Sequence, residues 1–290
     1  MESPAREAVF KALRHEPVSP LPRGEPFISR RFLDTYWSLW SGDYVTQLEA
    51  AAEALGLQAV GADMNMPEAA RLLHEKAYAK LSRFYSMAVF NGPVARLVIY
   101  MGFERAMVAL KKYPDFLEKA ASPLLDDVQQ TADSIRDNGF SAVMIADDIA
   151  GNHGLWCSRE LFEELILPWY LRLVEAVNAR GLHVFFHSDG DTREIIEPLI
   201  ACGFDCLHPV DAQAGMDIYG LKATCTSRIC LMGHIDTMEW NAFRVLAEVD
   251  KAEKAFTGGG LILGTCCGVA PETEYGLSAL YPGWNPGDKS

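Results

Sequence analysis

Eight short apolar runs, each separated from the next by a longer stretch with helical spacing, constrain this chain more than any other feature. They fall at 26–29, 57–62, 85–90, 142–146, 183–186, 204–207, 229–232 and 261–263. Between them lie amphipathic stretches such as 116–137, 159–180 and 238–256, the second carrying Pro168 and so expected to kink there. A helix between consecutive strands brings the second strand back parallel to the first, and a parallel sheet is buried on both faces. Eight such units predict an α/β fold, a closed (β/α)8 barrel. The 290 residues suit that fold, which runs to roughly 250 residues or more. No repeat or linker divides them, so the chain reads as one domain over 1–290.

The residues just past each run carry the chemistry. Val184-Phe185-Phe186 leads straight into His187-Ser188-Asp189-Gly190-Asp191, and Leu261-Ile262-Leu263-Gly264 into Thr265-Cys266-Cys267-Gly268. Past the other runs stand Asp63 and Asn65, Asn91, Asp147 and Asp148, His208 and Asp211, and His234 and Asp236. Any one of these is explained by the preference of Asp, Asn and His for turns and helix caps. In a barrel, however, all of them gather at the carboxyl end of the strands, where active sites of that fold sit. His187 and Asp189 are separated by one residue, so on extended backbone both point to the same side. They are candidate catalytic groups with Asp148 and Asp147. Asp63, Asn91, His208, His234 and Asp236 are candidate substrate contacts. Cys266 and Cys267 point oppositely, so alternation allows only one to face the mouth.

Charge narrows the partners. With 26 basic against 39 acidic residues, a balance of −13, and no long basic run, nucleic acid and anionic membranes are poor partners. Seven cysteines at irregular spacings read as reduced thiols and not as a disulfide framework. No apolar run approaches the ~20 residues needed to span a bilayer, and a cytoplasmic location is expected. Gly258-Gly259-Gly260 precedes a strand, which suits a connection better than a phosphate loop.

The segments Asn91-Gly-Pro-Val-Ala-Arg-Leu-Val, Asp147-Asp148-Ile-Ala, Phe186-His-Ser-Asp-Gly-Asp, Cys202-Gly-Phe-Asp, Ala214-Gly-Met-Asp217, Leu231-Met-Gly-His-Ile-Asp236 and Gly259-Gly-Leu-Ile-Leu-Gly resemble the uroporphyrinogen decarboxylase superfamily. The resemblance covers most of the chain and is weakest before about residue 55. It implies a (β/α)8 barrel and one of two activities, uroporphyrinogen decarboxylation or cobalamin-dependent methyl transfer. The decarboxylases carry an N-terminal Arg-Gln-Ala-Gly-Arg-Tyr type motif whose arginines grip the acidic tetrapyrrole, where this chain has Leu21-Pro-Arg-Gly-Glu-Pro-Phe27. One arginine does not match so many carboxylates.

The coenzyme M methyltransferases of the superfamily hold zinc with a His-x-Cys motif and a later Cys. His187 and Cys267-Gly-Val-Ala-Pro271 match, whereas Asp189 stands where the first Cys is expected. The resemblance thus implies a Zn2+ site of His187, Asp189 and Cys267, since imidazole, carboxylate and thiolate are all zinc ligands. Exchanging thiolate for carboxylate makes the metal more Lewis acidic and shifts the expectation from a thiol toward an oxygen-bound substrate. A competing reading leaves His187 and Asp189 metal-free, as hydrogen-bonding or proton-donating groups. The expected activity is transfer of a methyl group from a small O-methyl or N-methyl donor, such as an aromatic methyl ether, to the Co(I) corrinoid of a separate protein. Alternatives are a uroporphyrinogen decarboxylase-like lyase and a methylcobamide:coenzyme M methyltransferase. The chain has no Asp-x-His-x-x-Gly cobalamin motif, so the corrinoid must come from a partner, and a homodimer is compatible with this picture.

Overall fold

The computed structural model describes residues 3–37, 43–225 and 227–285. Eight parallel strands form one sheet, here β1 Gly24–Glu25, β2 Ala59–Asp63, β3 Tyr85–Asn91, β4 Ala142–Ala146, β5 His183–His187, β6 Cys206–His208, β7 Cys230–Ile235 and β8 Leu261–Thr265. Each pairs with its neighbour in sequence, and a parallel bridge between Arg23 and Leu263 joins the two edges. The sheet therefore closes into the expected (β/α)8 barrel.

The first strand is shifted from expectation: pairing occupies Gly24 and Glu25, not 26–29, with registers Gly24 to Ala59 and Glu25 to Val60. Pro26 has no N–H to give the ladder, so regular pairing ends there. Beyond it only Ile28 forms an isolated bridge, to Val269.

Alternation along the strands fills the barrel. Ala59, Tyr85, Met87, Val89, Ala142, Met144, Phe185, Cys206, Cys230, Met232 and Ile262 form an interior cluster separate from the outer one between sheet and helices. Each large side chain so removed from water contributes about 1.5–3 kcal/mol. The amino-terminal helix Pro4–Leu13 plugs the bottom: Val9 and Ala12 join the interior cluster, and Phe10 packs its ring 5.3 Å from Tyr85. Ser3 caps this helix, its hydroxyl accepting from the Arg6 amide.

The remaining connections follow the pattern with two local departures. The stretch expected as one kinked helix is a short helix Arg159–Leu161, a π-turn Phe162–Ile166 and a helix Leu167–Asn178. Pro168, lacking a donor, sits at the start of the last piece, and the widened turn absorbs the break. After β4 an antiparallel pair, Ala150–Gly151 with Gly154–Leu155, stands beside the barrel mouth. All seven cysteines are unpaired. No helix among the described residues is long and apolar enough to cross a membrane.

Candidate active site

The alternation that fills the barrel also sets its upper rim. On β5, Phe185 points inward, and so does His187 two residues later. On β6, Cys206 and His208 do the same, and on β4 the inward series 142, 144, 146 continues to Asp148. Asp148, His187 and Asp189 meet at the mouth, with one ligand atom from each lying within 4.8 Å of the others. His187 Nε2 lies 3.4 Å from Asp148 Oδ1, which also accepts from the Asp189 amide at 3.0 Å. The far side of the His187 ring is equally committed. Its Nδ1 is 2.8 Å from Nδ1 of His208, and Phe27 packs on the ring at 4.5 Å.

The charges at this cluster differ. Desolvation in the mouth opposes ionisation of Asp148, but the His187 imidazole and the Asp189 amide outweigh it and hold the carboxyl below its ordinary range. Asp189 is shifted the other way: desolvation raises it, His187 only partly offsets this, and Asp148 and Asp211 add repulsion. Neighbouring carboxylates pushed apart in this way suit a division into charge carrier and proton carrier. His208 is held well below the ordinary histidine value by burial and then by His187, so it is neutral.

A second cluster, Asp236, Cys266 and Cys267, also has its ligand atoms within 4.8 Å. The three residues expected to share one metal, His187, Asp189 and Cys267, are therefore divided: His187 and Asp189 group with Asp148, and Cys267 groups with its neighbour and Asp236. Alternation left the choice between the two cysteines open. Cys266 is buried and Cys267 exposed. A hydrogen bond from Cys266, helped by Thr237 and opposed by desolvation, pushes the Cys267 thiol down to about 7, while Cys266 is raised. Cys267 lines both cavities of the mouth, one of about 680 Å³ with Phe27, Arg30, Tyr44, Asp63 and Asn91, and one of about 560 Å³ with Trp156, Asp189, Asp211 and Gln213.

Asp63 and Asn91 stand in the wall of the larger cavity, tied together through Asn65. Its amide and side-chain nitrogen donate to Asp63 Oδ1 at 2.8 and 2.7 Å, and its Oδ1 accepts from the Asn91 amide at 2.9 Å. His208 is buried against His187 and Phe27, which makes it a support beneath the mouth and not a surface of it.

Three candidates lie elsewhere or are otherwise engaged. Asp147, expected at the mouth with Asp148, points outward because its neighbour points inward. It accepts from the amides of Val94 (3.2 Å) and Ala95 (2.5 Å) at the start of helix Pro93–Met101, and from the Tyr170 hydroxyl at 2.7 Å. Burial pushes its carboxyl up to about 7 against those three donors. Gly92 is required beside it, since a Cβ there would lie 2.4 Å from the Asp147 side chain. His234, expected as a substrate contact, turns away from the mouth to Glu248 (3.3 Å) and Trp240 (5.7 Å). Positive φ at both Gly233 and His234, 91° each, breaks the alternation of β7 just before it. Asp236 caps the following turn, its Oδ1 accepting from Met238 and Glu239 and its Oδ2 from Gln213.

Two further features shape the site: Asp211, which follows its strand in sequence without a role expected of it there, and Glu25. Asp211 accepts from the Gly190 amide at 3.0 Å and from Gln213, so the loops after β5 and β6 are laced together and Gln213 passes the link to Asp236. Glu25, fully buried, accepts from the amide and hydroxyl of Thr265 at 2.8 Å each and from Tyr281, which staples β1 to β8 and to the last helix. Burial pushes it up to about 7 despite those donors.

Residues 45–276 match the sequence model of the family described as "Uroporphyrinogen decarboxylase (URO-D)". Among solved structures, a methyltransferase from Methanosarcina mazei superposes with TM-score 0.76 and 17% identity, over 97% of this chain and 98% of that one. The YdhT protein from Bacillus subtilis superposes with TM-score 0.55 and 12% identity, over 98% and 92%. At these identities the superpositions speak to the fold. A search of curated proteins finds no match.

Proposed function

Because this chain belongs to the uroporphyrinogen decarboxylase family, we propose that it is a methyltransferase of that superfamily, taking a methyl group from a small O-methyl or N-methyl donor to the corrinoid of a separate protein. The observation that carries this reading is the Asp148, His187 and Asp189 cluster at the mouth of the barrel. Nitrogen and oxygen donors of this kind fit Zn2+, with a fourth position left to substrate. The clustered set replaces the expected Cys267 by Asp148 as third ligand. When bound there, the ion supplies a Lewis acid for the oxygen or nitrogen that gives up the methyl group.

Without the ion the same groups form a proton-handling set: Asp148 holds the His187 ring through its Nε2 side, and Asp189 is placed to hold or deliver a proton at the leaving heteroatom. Phe27, Tyr44 and Val89 in the wall of the larger cavity offer apolar surface to a donor's carbon frame. The carboxylates there, Asp63 and Glu68, disfavour a polyanion. That charge argues against tetrapyrrole decarboxylation, for which Arg30 is the one arginine among the described residues lining the cavity.

The test is anaerobic incubation with chemically reduced cob(I)alamin as surrogate acceptor and a panel of aromatic methyl ethers and methylamines. Donor-dependent conversion of the cob(I)alamin spectrum to that of methylcobalamin is expected, abolished by His187→Ala. Decarboxylation of uroporphyrinogen at a useful rate, with no methylcobalamin from any donor, would overturn the reading.

A further inference from the structure

Large apolar side chains exposed to solvent are unevenly spread over this molecule. Of the eleven among the described residues, six fall between residues 99 and 116, where two short helices, Pro93–Met101 and Phe103–Lys112, meet the start of helix Asp115–Asp137. Ile99 (70% exposed), Tyr100 (81%) and Phe103 (43%) crowd the corner at Gly102, whose positive φ of 84° turns the chain from one short helix into the next. A seventh, Trp156, joins them from beyond β4, its ring edge-on to Phe103 at 5.0 Å. The indole lies across Gly151, where a Cβ would stand 2.3 Å from it, and lines the smaller cavity of the mouth. Together the seven side chains expose on the order of 800 Å², about one partner's share of a standard interface and more than an ordinary monomer leaves as a patch.

The charges at the same corner are uncommitted. Arg105 is the one arginine among the described residues with no ion pair, hydrogen bond or ring contact, whereas the others are held by acids, carbonyls or rings. Lys111, Lys112, Glu104, Asp115 and Glu118 are exposed and likewise have no ion-pair partner among the described residues. Three cations and three anions cancel here, on a chain whose balance is −13. Copies of so acidic a chain repel over most of their surface, and this corner escapes that repulsion. A partner of one sign would leave half of these charges unmatched, and an anionic membrane would face three acids. A second copy matches both sets. Across a two-fold axis residue i meets j and j meets i, so the cations of each copy can face the anions of the other.

We propose that this corner is a two-fold interface between copies of the chain, anchored by Tyr100, Phe103 and Trp156, with Arg105, Lys111 and Lys112 of each copy facing Glu104, Asp115 and Glu118 of the other. Tyrosine, tryptophan and arginine are the residue types that most often carry binding energy at protein interfaces. The second copy borders the mouth, because covering Trp156 pins the antiparallel pair after β4 that walls the smaller cavity beside Asp189. Association of this kind needs neither methyl donor nor metal, so it stands or falls apart from the methyl-transfer reading.

Sedimentation velocity of the purified protein over a concentration series reads the association. Wild type is expected as a dimer at micromolar concentration. The double variant Tyr100→Asp with Phe103→Asp should be monomeric there, its dissociation constant raised at least about 100-fold. Both side chains are exposed, so its circular dichroism spectrum should match wild type. Two charge-reversed chains test the pairing, one with Arg105→Glu, Lys111→Glu and Lys112→Glu, the other with Glu104→Lys, Asp115→Lys and Glu118→Lys. Each should be monomeric alone, and their equimolar mixture should sediment as a heterodimer. Should a reversed chain not fold, wild type and the double variant still decide. A wild type that stays monomeric throughout the series overturns the proposal, as does a dimer that survives in the folded double variant, or a mixture of folded reversed chains that stays monomeric. A monomeric wild type that pellets with phosphatidylglycerol vesicles would assign the corner to a membrane instead.

Discussion

Asp147 and Asp148 are adjacent in sequence and opposite in role, so replacing each by alanine separates stability from site chemistry. Asp147→Ala strands three donors at once: the Val94 and Ala95 amides and the Tyr170 hydroxyl. A buried donor left unpaired costs roughly 1–3 kcal/mol, and loss of a helix cap alone about 0.5–2 kcal/mol. Relief of the carboxyl's own burial, which pushes it up to about 7, offsets part of the sum. The net destabilisation should be about 3–5 kcal/mol, and at about 2–4 °C per kcal/mol in a chain of this size the melting point should fall by roughly 6–20 °C. Asp148 has a side chain 59% exposed and gives up contacts to His187 and the Asp189 amide. Asp148→Ala should therefore stay within about 1 kcal/mol of wild type, yet bind Zn2+ at least about 10-fold more weakly. Thermal unfolding and a zinc competition titration on the same two proteins check this. An Asp147→Ala protein that melts with wild type, or an Asp148→Ala protein that unfolds early with unchanged zinc affinity, would refute the reasoning.

Burial raises Glu25 from 4.5 to about 7, so the folded state holds its proton more tightly than the unfolded chain. The resulting contribution is full below about pH 4.5 and is lost as pH rises through about 7, on the order of 3 kcal/mol. Denaturant unfolding across that window should show the slope in wild type and a flatter one in Glu25→Gln, and equal slopes would contradict it. The lowered Cys267 thiol, about 7, should be alkylated by iodoacetamide before the six other cysteines, its rate rising through about pH 7 as thiolate forms. Peptide mapping that finds another cysteine first would count against the geometry. His234→Ala removes a ring packed on Trp240 and bonded to Glu248. It should lower stability by about 1–3 kcal/mol while leaving the Michaelis constant for the methyl donor unchanged, and a raised constant would return His234 to the site.

The barrel was legible because it rests on a rule of alternation that local sequence obeys. The runs at 142–146 and 183–186 coincide with β4 and β5 to within a residue, and the polar residues just past them include Asp148 and His187. Reading failed where backbone or distance intervened. Pro26 moved the first strand back, and positive φ at Gly233 and His234 turned a histidine outward that simple alternation had aimed at the mouth. Whether Asp147 or Asp148 faced the mouth was a question of phase, which the run of apolar residues did not fix. Glu25 was invisible because its partners Thr265 and Tyr281 lie 240 and 256 residues away. The grouping of Cys267 with Asp236 depends on how the loops after β7 and β8 descend, and no spacing in the sequence encodes that.

The most direct test of the chemistry proposed at this mouth is anomalous X-ray diffraction at the zinc edge, from crystals of the protein prepared with Zn2+. A single strong peak among Asp148, His187 and Asp189 is expected, absent in crystals of His187→Ala. A peak at Asp236, Cys266 and Cys267 instead, or no peak at either cluster, would contradict it.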